Sequence, residues 1–214
     1  GSQDPYALRR QTIGILNSLL ESKWNVNLGP IFVVAMNLLN VPADKQAELQ
    51  GQLEEFFTLR LKNIYLDRQI PHHVIDLLLS NTALSVADAE GLANAVMNNR
   101  IDENVELVQA YTRMYNLVKD VTYTGVDESK LVEDAEKALF ADATKAAAVS
   151  QEAWDNMDYA GVVAVPATLV DSINKFFEDV MVMDKDEVIK ANRLQLVRLA
   201  YSVIAVIGDV SKLK

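Results

Sequence analysis

Apolar residues along this chain recur at intervals of three and four, the period of an α-helix, and strand-like alternation is scarce. Residues 5–22 read as a first helix. Asp4 suits its cap, Pro5 its first turn, and Leu8, Ile15 and Leu19 supply the apolar stripe. Asn25, Asn27, Gly29 and Pro30 mark a turn. The apolar stretch 31–39 predicts a short buried helix. Pro42 opens the next helix, with Asp44 favourably placed against its dipole. Leu53, Phe57, Leu61 and Ile64 form its inner stripe, and it runs to about Arg68. Pro71 starts a short helix through Leu79, and Ser85 caps another that ends before Asn98-Asn99.

The pattern continues in the second half. Asp102 is placed to cap a helix through Lys119, and residues 120–126, with Gly125, form a loop. Asp127 or Ser129 begins a helix to about Ala148, residues 152–165 are helical, and Pro166 starts another helix. Asp184-Lys185-Asp186 reads as a helix start. In the last helix, Leu194, Val197, Tyr201 and Ile204 share one face and Leu196, Leu199 and Val203 fill a second. That helix is therefore expected to be largely buried. The expected fold class is all-α. Asn98-Asn99-Arg100 separates two amphipathic patterns, so the domains are set at residues 3–99 and 100–214.

Composition supports a packed helical protein. Half of the 214 residues are hydrophobic, enough for a real core, and the 8 glycines and 5 prolines are few. No cysteine is present, which rules out disulfides and thiolate metal sites. No apolar run reaches the length of a membrane span; the longest, near 203–207, is broken by Gly208 and Asp209. Gly1-Ser2, without an initiator Met, looks like the scar of a removed tag and suggests a piece of a longer protein.

Net charge is −10, which argues against broad nucleic-acid affinity. It is unevenly spread. Residues 1–68 carry 7 basic and 7 acidic side chains, residues 69–126 carry 3 and 7, and residues 127–214 carry 10 and 16. Any contact with a polyanion must come from a local basic patch. Arg113 and Lys119 are two of the three basic residues in the middle stretch. No residue at i±3 or i±4 of Arg113 is charged, which leaves a carboxylate across the bundle or an outside anion as its partner.

Catalytic chemistry is missing. There is no glycine-rich phosphate loop, no nucleophile elbow and no zinc-binding helix motif. The adjacent His72 and His73 point about 100° apart on a helix and cannot share a metal as an i,i+4 pair can. The carboxylate runs Glu54-Glu55 and 184–187 fit solvated faces or caps. No catalytic residue, metal ligand or cofactor site is assigned, and a binding or structural module is favoured over a self-sufficient enzyme.

Five motifs, taken in order, point to a family. They are Asp4-Pro5-Tyr6-Ala7-Leu8-Arg9-Arg10; the stretch 56–76 with Phe56, Arg60 and Leu61; Phe176-Phe177-Glu178-Asp179-Val180-Met181-Val182-Met183; Asn192-Arg193-Leu194; and Asp209-Val210-Ser211-Lys212-Leu213. Together they resemble the C-terminal region of the bacterial glycyl-tRNA synthetase β subunit. Two positions depart from that family's pattern. Asn174 stands where an acidic residue is usual, and Lys190 stands where Arg is usual, keeping the charge but losing bidentate geometry.

The resemblance implies an anticodon-binding helical bundle of the arginyl-tRNA synthetase type from about residue 100, with a smaller helical region before it. Tyr111-Thr112-Arg113-Met114-Tyr115-Asn116-Leu117 resembles the opening helix of that bundle. The implied setting is cytoplasmic, in an α2β2 glycine–tRNA ligase whose catalytic centre lies in the α subunit. ATP and Mg would serve the whole enzyme, with no cofactor in this span. The implied partners are glycine tRNA and the α subunit, with no membrane and no DNA. Arg113, Asn116, Lys119, Asn192 and Arg193 are the candidate tRNA-binding residues, since Arg binds phosphates or bases and Asn reads base edges. Each has an alternative as a cap or an internal partner. The rival reading is an architectural module that joins subunits without touching tRNA.

Overall fold

The computed structural model describes Asp4 and residues 6–213. The expectations for Gly1-Ser2 and for Pro5 fall outside those residues. Among them the regular elements are α-helices and 3-10 turns, with no strand. The chain divides into two compact units, Gly1–Asn94 and Ala95–Lys214. The division falls inside a helix, a few residues before the break in pattern at Asn98-Asn99-Arg100.

The first unit contains α1 (Leu8–Ser22), α2 (Leu28–Leu38), α3 (Ala43–Asp67), α4 (His72–Leu79) and most of α5 (Val86–Asn98). α1, α2 and α4 each pack on α3. On α1 the buried residues are Thr12, Leu16, Leu19 and Leu20, while Leu8 and Ile15 face outward. The expected stripe was thus set along one edge of the helix, and only Leu19 lies on its inner face. α2 is a larger correction. Only Phe32 and Met36 are buried, Phe32 tilting against Phe57 at 4.9 Å between ring centroids. The opposite face stays open. α3 buries Leu61 and Tyr65 and half-buries Leu53, Phe57 and Ile64. The Tyr65 hydroxyl donates to the Val86 carbonyl at 2.9 Å, and burial followed by Glu90 pushes its pKa upward. Ser85 caps α5 as expected, its Oγ accepting from the Asp88 amide at 3.0 Å.

The second unit takes the end of α5 and a 3-10 turn, Ile101–Glu103, and continues with α6 (Val105–Val118), α7 (Asp134–Asp155), α8 (Tyr159–Ala164), α9 (Val170–Asp179) and α10 (Glu187–Ala205). α10 packs on α7 and α6, and α7 also carries α8 and α9. α6 is capped by Asn104, not Asp102: Asn104 Oδ1 accepts from the Leu107 amide at 3.1 Å, and Asp102 sits in the preceding 3-10 turn. Asp127 caps only a 3-10 turn, Glu128–Lys130. α7 starts later because Glu133 and Glu136 form a reciprocal capping box. It then runs through Asp155, so residues 152–165 are not one helix, and Pro166 lies in a 3-10 turn ahead of α9. Asp186 caps α10 as the sequence indicates, accepting from Val188 and Ile189 amides at 2.8 and 3.3 Å. Leu196, Val197, Tyr201, Val203 and Ile204 are buried on α10, and Leu194 and Leu199 are half-buried.

The run Tyr159–Asp179 is long and apolar enough to cross a membrane by length and composition alone, an 18-residue window of it reaching a mean hydropathy of 1.2. This corrects the expectation that no run qualifies. Here it is broken into α8, a 3-10 turn and α9, all packed on α7, with Val162, Val163, Leu169, Ile173 and Phe176 in the core. That is the arrangement of core helices.

Candidate nucleic-acid interface

α6 owes its position to an apolar inner face. Leu107, Val108, Ala110, Tyr111, Met114 and Val118 are buried, and the Tyr111 hydroxyl donates to the Pro166 carbonyl at 2.9 Å. The outer face then carries Glu106, Gln109, Arg113 and Asn116 into solvent. α9 lies beside it. Phe176 is fully buried, and Phe177, half-buried, stands edge-on to it with centroids 5.3 Å apart. The Arg113 guanidinium carbon lies 4.0 Å from the centroid of the Phe177 ring. Next to this contact the Asn174 amide donates to Glu106 Oε1 at 3.0 Å, tying α9 to the start of α6.

The guanidinium is held by the ring and not by a carboxylate. No hydrogen bond or ion pair engages it among the described residues, and the residue is exposed. Of the two partners left open for Arg113, a carboxylate across the bundle is not the one observed. An aromatic ring orients the cation without neutralising it. Asn116 and Lys119 are exposed on the same helix, Lys119 at its C-terminal cap. The three side chains fan over about 120° of helix surface, with Asn116 in the middle. A cation at a helix C-terminus also offsets the dipole, so Lys119 has a structural use as well.

Asn192 and Arg193 are placed quite differently, as the internal partners that the sequence also allowed. Both are buried on the inner side of α10. The Asn192 side chain accepts from the Asp127 amide at 2.8 Å and donates to the Asp127 carbonyl at 3.0 Å. Arg193 Nε donates to Glu136 Oε1 at 2.6 Å, and its Nη1 reaches Asp184 Oδ2 at 2.7 Å and the Met181 carbonyl at 3.0 Å. Burial pulls the Arg193 pKa down, and the bonds to Glu136 and Asp184 outweigh it and raise it. Asp184 is held below the usual carboxylate range, first by the Asp186 amide and also by Arg193. These groups join α7, the turn after α9 and α10.

Sequence reasoning missed Phe177 as the seat of Arg113, Glu136 as the carboxylate matched to Arg193, and Asp127 as the backbone unit matched to Asn192. For Glu136 a signal existed: it sits three residues after Glu133 at a helix start, the spacing of a capping box. Its second oxygen is therefore left to face the core. Nothing in the linear pattern pairs residues 113 and 177. Among the described residues no group of three or more His, Cys, Asp or Glu is placed to hold a metal ion.

The second unit is thus an all-α bundle that sets an exposed guanidinium on an aromatic ring. Residues 107–210 match the DALR anticodon binding domain, and residues 1–80 match the glycyl-tRNA synthetase beta subunit family. The chain belongs to the glycyl-tRNA synthetase beta subunit family, with a DALR-type bundle as its second unit. It is similar to the glycine–tRNA ligase beta subunits of Clostridioides difficile (36% identity over 216 residues), Desulforamulus reducens (33% over 218) and Geobacter sp. strain M21 (32% over 216). Each alignment covers 100% of this chain and 31% of the relative. The chain thus spans about a third of the length of the curated relatives it matches.

Proposed function

We propose that this chain is the C-terminal, tRNA-gripping part of a glycine–tRNA ligase beta subunit, and that its second unit holds the anticodon arm of glycine tRNA on the outer face of α6 and α9. The observation that carries this reading is the exposed Arg113 guanidinium, seated on Phe177 with no hydrogen bond or ion pair among the described residues of an acidic chain. Arg113 binds phosphate or a base edge, Asn116 offers a donor and an acceptor beside it, and Lys119 contributes charge at the helix end. The match of residues 107–210 to an anticodon binding domain supports the assignment. In this reading the ATP- and Mg-dependent attachment of glycine takes place in an α subunit within an α2β2 assembly of the cytoplasm, and this chain supplies no catalytic group.

The experiment is a salt titration of binding between the chain and a glycine tRNA transcript, with the isolated anticodon stem-loop and an unrelated tRNA as controls. Expected is binding that weakens linearly in log salt, as counterion release requires, and that the glycine stem-loop retains. Equal binding of all three RNAs would remove the anticodon assignment; no binding of any would remove the tRNA assignment. One observation favours a second reading, that of an architectural module: the open apolar face of α2 in the first unit.

A further inference from the structure

Residues 24–43 contain no charged side chain. They include α2, which is apolar on its inner and outer faces, with Asn37 on one flank bonded to Gln46, yet buries only Phe32 and Met36. Ile31, Val34, Ala35 and Leu38 follow a three–one–three spacing on its far side, and Leu39 extends the patch. Leu38 and Leu39 are 78% and 77% exposed, and Val34 is 58% exposed. A helix that is hydrophobic all round is one whose faces are both covered in the working protein. A contiguous patch of this kind marks an interaction surface.

We propose that the outer face of α2 docks an uncharged apolar helix from the remaining two-thirds of the full-length beta-subunit polypeptide. The inference rests on the reading of this chain as part of a longer beta subunit. Two observations choose this occupant. With no cation anywhere in 24–43, the face has nothing to offer a nucleic-acid phosphate or an anionic lipid headgroup. The chain spans only 31% of its relatives' length, so most of the polypeptide lies outside it, tethered at an effective concentration on the order of millimolar. A separate molecule would have to compete with that tether.

The test is hydrogen–deuterium exchange of the α2 backbone amides in this chain and in the full-length beta subunit. Each is measured at two protein concentrations, with and without the α subunit, and with neutral lipid vesicles. The expected result is at least about tenfold slower exchange in the full-length subunit, independent of concentration, α subunit and vesicles. Equal rates in the two proteins would overturn the proposal. So would slowing that grows with concentration, which marks a second copy, or slowing that appears only with the α subunit or only with vesicles. Leu38→Lys is the companion variant. It is expected to leave the melting temperature of this chain unchanged, because the side chain already stands in solvent, and to speed α2 exchange in the full-length subunit alone. An equal loss of stability in both proteins would count against the docking face. Glycine tRNA binding measured on the same samples separates the two ideas: protected α2 without tRNA binding overturns the tRNA reading and leaves this one standing.

Discussion

Arg113 and Arg193 show how one residue type is put to opposite uses. Arg113 is exposed and rests on Phe177, a contact worth about 0.5–1 kcal/mol at an exposed site. Arg113→Ala is therefore expected to weaken glycine tRNA binding while leaving the melting temperature nearly unchanged. Lys119→Ala should weaken binding to every tRNA and lower the slope of log K against log salt by about one charge. A variant at 113 that binds normally and melts early would make Arg113 a strut of the bundle. Arg193 lies between Glu136 and Asp184, and the Glu136 side chain is wholly buried. Arg193→Ala strands that carboxylate in the core and is expected to cost about 3–5 kcal/mol in denaturant unfolding. A loss under about 1 kcal/mol would mean the pair is solvated.

A third residue-scale effect depends on pH. Asp127 is lowered from 3.8 to about 2, first by its hydrogen bond with Lys130 and then by Ser129. A carboxylate depressed in the folded state stabilises above its unfolded pKa and loses that contribution as pH falls through the folded value. The window is thus about pH 4 down to pH 2. The melting-temperature gap between the parent and Asp127→Asn should be full at pH 5 and nearly closed by pH 2, and a gap constant across that range would refute the ionic contribution.

At the scale of elements, the ends of the helices are the least expected feature. α2, α3 and α7 stop in Schellman turns built on Asn40, Gln69 and Met157, all with φ between 54° and 63°. The six-residue hydrogen bonds that close them run from Val41 to Met36, Ile70 to Tyr65 and Asp158 to Ala153. Glycine is the usual residue at such positions, because a Cβ in the left-handed region costs roughly 1–2 kcal/mol. Met157 is well exposed, so little packing is lost with its side chain. Met157→Gly is expected to stabilise the second unit by about 1 kcal/mol in urea unfolding. Destabilisation would show that the methionine side chain holds the turn. Helix starts are more legible than stops because Ser85 and Asp186 carry their capping oxygen within three residues of the amides they satisfy. These stops carry no glycine to mark them.

At the scale of the whole molecule, polar side chains of α10 reach back over more than sixty residues to hold the segment after α6. Gln195 accepts from the Thr124 amide at 2.8 Å and donates to the Thr122 carbonyl at 3.1 Å, Arg198 Nε donates to the Val121 carbonyl at 3.2 Å, and Asn192 clasps Asp127. Residues 120–126 are therefore a strap, although Gly125 and the lack of periodicity mark them only as a loop. Trypsin is expected to cut slowly after Lys119. The double variant Asn192→Ala, Gln195→Ala should speed that cut by about tenfold without changing the cut after Lys23. Unchanged cleavage after Lys119 would mean the strap is not held by α10. The linear pattern alone determined the all-α class, the two amphipathic regions, the caps at Ser85 and Asp186, the burial of α10 and the family, since each depends on neighbours within one or two helical turns or on short motifs. Only the tertiary structure decided that α2 is covered on one side, that Asn192 and Arg193 turn inward, and that Arg113 sits on Phe177. A buried charge or an uncovered apolar face is settled by what lies across from it, and Glu136 and Asp127 come to Arg193 and Asn192 from 57 and 65 residues away along the chain.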